Sequence, residues 1–276
     1  VTIIPEIDIP GHTSSMIAAY PELGSSKENI GVKTLWGVQN DILNINETTF
    51  EFLENMFSEI VDLFPSKYIH IGGDEARKVQ WKNSKIIQNQ MKELGLKDEN
   101  ELQSYFIKRV EKFLNSKGKK IIGWDEIIDG GLAPNATVMS WRGEEGAIHA
   151  AKSGHDAIMT PTSHCYFDYY QDKPNNEPLA IGGLLPLKKV YLYEPIPQGL
   201  SNEESKKILG AQGNLWTEYI KKPKDVEYMI IPRMTALSEV VWSPRKLRNL
   251  GEFKKRLKSF KFFYDKLNVN YRKKDF

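Results

Sequence analysis

Cysteine is almost absent from this chain of 276 residues. Cys165 stands alone, which excludes an internal disulfide and any cysteine-based metal cluster, and a single thiol reads best as a small buried hydrophobe. No apolar run approaches the roughly 20 residues of a membrane span, and the amino terminus shows no basic, apolar and small-residue leader pattern. Charge of one sign is lacking too: 38 basic against 36 acidic residues leave a formal net charge of +2, which asks for neither nucleic acid nor an anionic membrane. The five histidines, His12, His70, His149, His155 and His164, form no pair at ligand spacing, so no metal is expected. No glycine-rich loop carries a lysine for phosphate chemistry, and nothing calls for a cofactor.

What is present is ordinary globular material, 40% hydrophobic and 27% charged, enough for one large core or two small ones. Its centre is KYIHIGGDE, Lys67 to Glu75. Tyr68, Ile69 and Ile71 read as a buried parallel strand that runs through two glycines and delivers Asp74 and Glu75 at its carboxyl end. Five further stretches repeat this plan. VTIIPEIDI (1–9) closes on Glu6 and Asp8 before the turn Pro10-Gly11-His12. KKIIGWDE (119–126), ATVMSWRG (136–143), DAIMTP (156–161) and KILGAQGNLWTEY (207–219) follow, most of them ending in tryptophan and charge. Between them lie helical periodicities. One is Phe50, Leu53, Phe57, Ile60 and Phe64 behind Asn46 as N-cap; a single helical stretch follows Glu75 to about Leu94 and stops at Gly95; another runs from Asp98, with Glu101 in a capping box, through Leu102, Phe106, Val110 and Leu114. A last helix buries Phe253, Leu257, Phe260, Tyr264 and Leu267 under a basic solvated face. Residues 20–46 and 162–205 read as loops, the second rich enough in tyrosine to be functional.

Strand-then-helix units with polar and aromatic carboxyl ends predict an α/β fold of the (β/α)8 TIM-barrel type, one partial barrel domain over residues 1–276, with about six of the eight units present. Carboxylates among tryptophans suit a sugar, since carboxylates take hydroxyls and indole faces cover the apolar side of a pyranose. Neighbours on an extended strand point to opposite sides, so Asp74 and Glu75 are not expected to flank one glycosidic bond. A substrate carrying its own nucleophile, such as a 2-acetamido sugar, removes that need.

HIGGDE, together with PEIDIPGH, GWDE, SWRG, YFD and NLWTEY in this order, closely resembles the catalytic domain of the β-N-acetylhexosaminidases, family 20 of the glycoside hydrolases. The resemblance implies retaining, substrate-assisted hydrolysis of terminal N-acetyl-β-D-hexosamine residues, N-acetylglucosamine or N-acetylgalactosamine, from glycans. By it, Glu75 is the general acid/base and Asp74 orients the acetamido group, whose oxygen attacks the anomeric carbon to give an oxazolinium. Tyr166 would hydrogen-bond that oxygen. Trp124, Trp141 and Trp216 would cage the acetamido methyl and the ring, Asp168 and Glu218 would hold remote hydroxyls, and His12 would join a network at the acid/base. Asp125, Glu126 and Arg142 read as structural, His70 as a core histidine, Trp36 and Trp81 as packing residues.

The resemblance also makes the first strand here the third of the barrel. The two before it, bearing a sugar-gripping arginine and an acidic residue, would lie outside this chain, which starts on Val1 inside a strand pattern and reads as a piece of something longer. An open seam would then favour pairing with a second copy, a homodimer. Two readings compete: an inactive glycan-binding fragment, and a metal-dependent barrel hydrolase suggested by the acidic rim alone. A periplasmic or secreted home follows from the family.

Overall fold

A computed structural model describes residues 1–26 and 28–276. The described chain divides into two compact units, Val1–Met139 and Ser140–Phe276. In the first, three parallel strands stand in the order β1 (Tyr68–His70), β2 (Lys120–Trp124) and β3 (Thr137–Ser140), the last residue of β3 opening the second unit. Ile69 lies opposite Ile121, and Trp124 opposite Met139. Ile69, Ile121 and Val138 are fully buried, as their β-branched shapes on a two-sided sheet require. The expected α/β class with parallel strands is thus present.

The opening stretch differs from its expected strand. It makes one parallel bridge, Glu6 with His70, with Ile7 N donating to His70 O and Ile9 N to Ile71 O at 3.0 Å each. Ile9 is buried while Ile3 and Ile4 are exposed, and backbone pairing with β1 starts at Pro5, whose O accepts from His70 N at 2.9 Å.

Six-residue helix α1 (Ser14–Ala19) leads to α2 (Glu47–Leu63), whose N-cap is Asn46: its Oδ1 accepts from Thr49 N at 2.9 Å. Phe50, Leu53 and Phe57 are buried as the periodicity demands. After β1 the chain forms two short helices, α3 (Val79–Asn83) and α4 (Lys85–Glu93), where one was expected; Ser84 ends the first and caps the second. Then α5 (Glu99–Ser116) buries Leu102, Phe106, Val110 and Leu114. Its Asp98 cap accepts from Asn100 N at 2.8 Å and Glu101 N at 2.9 Å, whereas Glu101 reaches back to Lys97 N, not to Asp98. The capping box is therefore half formed. Asp98→Ala should cost about 1 kcal/mol, read as a lower urea midpoint at unchanged slope.

In the second unit α6 (Glu145–Lys152) precedes β4 (Ala157–Met159), which pairs parallel with β5 (Ile208–Ala211) with a register shift after Ala157. The span expected to be a long loop is mostly that, and carries three short helices, α7 (Thr162–Cys165), α8 (Leu187–Tyr191) and α9 (Asn202–Ser205); its short apolar clusters, Leu187 and Val190 among them, are buried. Three helices close the chain: α10 (Pro223–Ile230), α11 (Arg233–Trp242) and α12 (Leu250–Lys266). Tyr191 on α8 stacks on Phe253 of α12 at 4.5 Å and donates to Glu239 of α11 at 2.6 Å. Only the first half of α12 fits the expected apolar face. Phe253 and Leu257 are buried, but Phe260 and Leu267 are exposed.

Candidate active site

The acidic end of β1 owes its geometry to backbone that side chains rarely permit. Past His70 the chain passes through Gly72 (φ 67°) and Gly73 (φ 98°), and Glu75 itself sits at φ 47°. Left-handed backbone at a non-glycine residue costs about 1–2 kcal/mol and collects at functional positions. The consequence corrects the expectation from an extended strand. Asp74 and Glu75 do not point apart: Asp74 Oδ2 and Glu75 Oε2 lie 3.5 and 3.3 Å from the same atom, His12 Nε2.

His12 is brought there by the Pro10-Gly11-His12 turn. Leu43 N donates to Pro10 O at 3.0 Å, and a Cβ on Gly11 would stand 3.0 Å from Ala76 Cα, so this turn can pack directly on the segment carrying Glu75. His12 also has left-handed backbone, φ 53°. The hydrogen-bonded Asp74 carboxylate, reinforced by Glu75, raises its pKa against partial burial. A ring nitrogen within 3.5 Å of both carboxyl groups can hold both in place.

Asp8 sits behind Asp74. Burial, then the charge and hydrogen bond of Asp74, push its carboxyl far above the ordinary carboxylate range. Asp8 Oδ1 also accepts from Gly73 N at 3.1 Å, and Gln103 Nε2 on α5 donates to Gly73 O at 2.7 Å. One atom each from Asp8, His12 and Asp74 falls within 4.8 Å of the others, the one such group of ligand-type side chains among the described residues. Burial and the Asp74 charge disfavour a second charge on Asp8, so a proton shared between these two carboxyls fits the geometry.

Trp124 closes β2 and is 3% exposed, its Nε1 donating to Glu6 Oε1 at 2.9 Å. The same oxygen lies 3.0 Å from His70 Nδ1, and His70 packs tilted on Trp124 at 4.8 Å. His70 is a core residue as expected, and Glu6 ties it to the indole. Glu6 was legible as polar but not as a partner, since 118 residues separate it from Trp124. Trp81 is fully buried as a packing residue should be, whereas Trp36 is 72% exposed and packs against little. Asp125 is buried in the turn after β2.

In the second unit Tyr166 follows α7 and forms a parallel bridge with Asn214. Phe167 N donates to Asn214 O, and Asn214 N to Cys165 O, at 2.6 and 2.7 Å. Trp141 stacks on Tyr166 at 6.3 Å. Asp168 is 4% exposed, and its Oδ1 is buried without a hydrogen-bond partner, an acceptor waiting for a donor. Burial and Glu218 raise its pKa to about 7, opposed by its own backbone N–H and by Arg233. Trp216 and Glu218 lie exposed beyond β5, not in the strand as the sequence pattern suggests. Cys165 is buried and its thiol is pushed up to about 12 by that burial, as expected of an inert packing residue.

The raised Asp168 sets a pH signature. A carboxyl raised by burial from its ordinary 3.8 to about 7 keeps its proton longer in the native state, so stability falls as pH rises through that window and levels above it. Asp168→Asn should therefore gain on the parent in thermal midpoint between about pH 4 and 7, by ~2 °C or more at the upper end. A constant difference across pH would contradict the buried, unpaired carboxyl.

The sequence profile of the glycosyl hydrolase family 20 catalytic domain matches residues 1–245. A curated β-hexosaminidase of Porphyromonas gingivalis is 46% identical over 273 residues, 98% of this chain and 35% of that protein. One from Vibrio furnissii is 37% identical over 243 residues, 86% and 40% respectively. Among solved structures, an inactive mutant of the family 20 exo-β-N-acetylglucosaminidase of Vibrio harveyi superposes with TM-score 0.88 at 34% identity, over 99% of this chain and 44% of that one. This chain thus spans less than half the length of each of these three proteins. No helix among the described residues is long and apolar enough to cross a membrane. A profile match from the first residue to residue 245, upheld along the backbone by that superposition, makes this chain a member of glycosyl hydrolase family 20.

Proposed function

We propose that this chain supplies part of the catalytic domain of a β-N-acetylhexosaminidase, which removes terminal non-reducing N-acetyl-β-D-hexosamine residues by retaining, substrate-assisted hydrolysis. The observation that carries the reading is the convergence of Asp74 and Glu75 on His12 Nε2. Two carboxyls on one side of a bond cannot act as opposed nucleophile and acid. They can act as orienter and acid. In this scheme Asp74 holds the acetamido N–H, the acetamido oxygen attacks C1, and the bond from C1 to the leaving oxygen breaks as Glu75 gives that oxygen its proton. Glu75, now a carboxylate, takes a proton from water, whose oxygen opens the oxazolinium at C1 and restores the acetamide.

His12 holds the Glu75 carboxyl through both half-reactions. Tyr166 donates to the acetamido oxygen, Trp124, Trp141 and Trp216 face the acetamido methyl and ring, and Asp168 and Glu218 accept from remote hydroxyls; these roles rest on the family resemblance. The unpaired Asp168 Oδ1 supports the last of them.

The test is an assay with an aryl N-acetyl-β-glucosaminide beside Asp74→Asn. Activity that drops about 10²-fold or more in the variant supports the reading. An inactive parent that still binds an N-acetylglucosamine-derived thiazoline would leave a glycan-binding domain instead.

A further inference from the structure

The second unit contains a cation that the scheme above does not use. Arg233, first residue of α11, is fully buried. It forms no ion pair among the described residues; its donors go to main-chain carbonyls. Nε donates to Met229 O at 3.0 Å, Nη1 to Tyr169 O at 3.0 Å and Leu185 O at 3.1 Å, and Nη2 to Met229 O at 2.6 Å and to Phe167 O. Phe167 and Tyr169 are the residues on either side of Asp168. The guanidinium also lies 5.2 Å from the Phe167 ring centroid.

A buried arginine is costly unless every donor is satisfied, and it is ordinarily paired with a carboxylate. Here the carbonyls solvate it and the charge stays unneutralised at contact range. We propose that Arg233 is the positioning residue for the sugar-binding segment: by gripping the carbonyls that flank Asp168 it sets the direction of the Asp168 carboxylate and keeps Tyr166 in its bridge to Asn214. The inference rests on the role proposed above for Asp168. Only a planar fork with five N–H groups can span Phe167, Tyr169, Leu185 and Met229 at once; an ammonium has three donors on a flexible stem. The Arg233 charge also opposes the burial and the Glu218 charge that raise Asp168.

The experiment compares Arg233→Lys, Arg233→Ala and Asp168→Asn with the parent, using an aryl N-acetyl-β-glucosaminide and its 4-deoxy and 6-deoxy analogues, after circular dichroism confirms the fold. Arg233→Lys should raise KM about 10-fold or more, the scale of one lost charged hydrogen bond, with kcat within about threefold. For whichever analogue lacks the hydroxyl that Asp168 binds, Arg233→Lys and Asp168→Asn should both leave KM near the parent value. Ethylguanidinium should restore KM in Arg233→Ala and not in Asp168→Asn. Equal KM increases for every analogue, or none in a folded Arg233→Lys, would overturn the proposal. If Asp168→Asn itself leaves KM unchanged, the role of Asp168 falls, and Arg233 is then a fold residue only. Should Arg233→Ala not fold, Arg233→Lys alone carries the test, because it keeps the charge and most of the volume.

Discussion

Glu75→Gln should lower turnover by about 10² to 10⁴, and by less for aryl leaving groups that depart without a proton. Glutamine keeps the shape and can keep a contact with His12, which lies 3.3 Å from Glu75 Oε2 in the parent. It cannot give up a proton to a leaving oxygen. The Glu75 side chain is 38% exposed, so a glycosidic oxygen can reach it without rearrangement. The check is kcat for two aryl glycosides with leaving groups of high and low pKa. Equal losses for both would count against Glu75 as the acid, whatever the size of the loss. The left-handed backbone of Glu75 is shared by the variant, so a change in strain does not confuse the comparison.

Gly72→Ala should remove more stability than any change on the surface, about 3–5 kcal/mol, and take the activity with it. Two costs add there. The φ of 67° is unfavourable for a Cβ, and a Cβ built on Gly72 would stand 1.7 Å from Asp8 Oδ1 and 2.7 Å from Asp8 Cα. The side chain of Asp8 could rotate away, but its main chain cannot. Moving Asp8 also breaks its bond to Gly73 N and withdraws the support behind Asp74. Gly95 provides the control, having φ 69° with nothing within 4 Å of a built Cβ. Gly95→Ala should cost only the backbone term, about 1 kcal/mol, so the difference in unfolding free energy between the two variants measures the steric part. Similar losses in both would mean that the contact with Asp8 matters little.

Much of the molecule was legible because short-range physics encodes it. The helices over residues 47–63 and 99–116 follow from apolar spacing and from Asn46 and Asp98 as caps, and the cap bonds are present. The strands at 68–70, 120–124 and 137–140 follow from β-branched runs that must be buried on both faces. Glycine before a pair of carboxylates, repeated in kind at Trp124-Asp125, marked where chemistry would gather. Elsewhere local pattern misled. The capping box expected of Asp98 and Glu101 is only half formed, because Glu101 accepts from Lys97 N instead of Asp98 N. Ser84 split one expected helix in two because its side chain caps the second.

By itself the sequence determined the class of the fold, its element order, the family and the residue types at the strand ends. These depend on side-chain volume, polarity and spacing, which a linear chain displays in full. Only the tertiary structure decided that Asp74 and Glu75 meet at His12 instead of diverging, since that turns on φ angles at Gly72, Gly73 and Glu75. It alone joined Glu6 to Trp124 and Arg233 to the carbonyls around Asp168. Those partners lie far apart in sequence, and main-chain carbonyls are the same in every residue, so no pattern of letters could announce them.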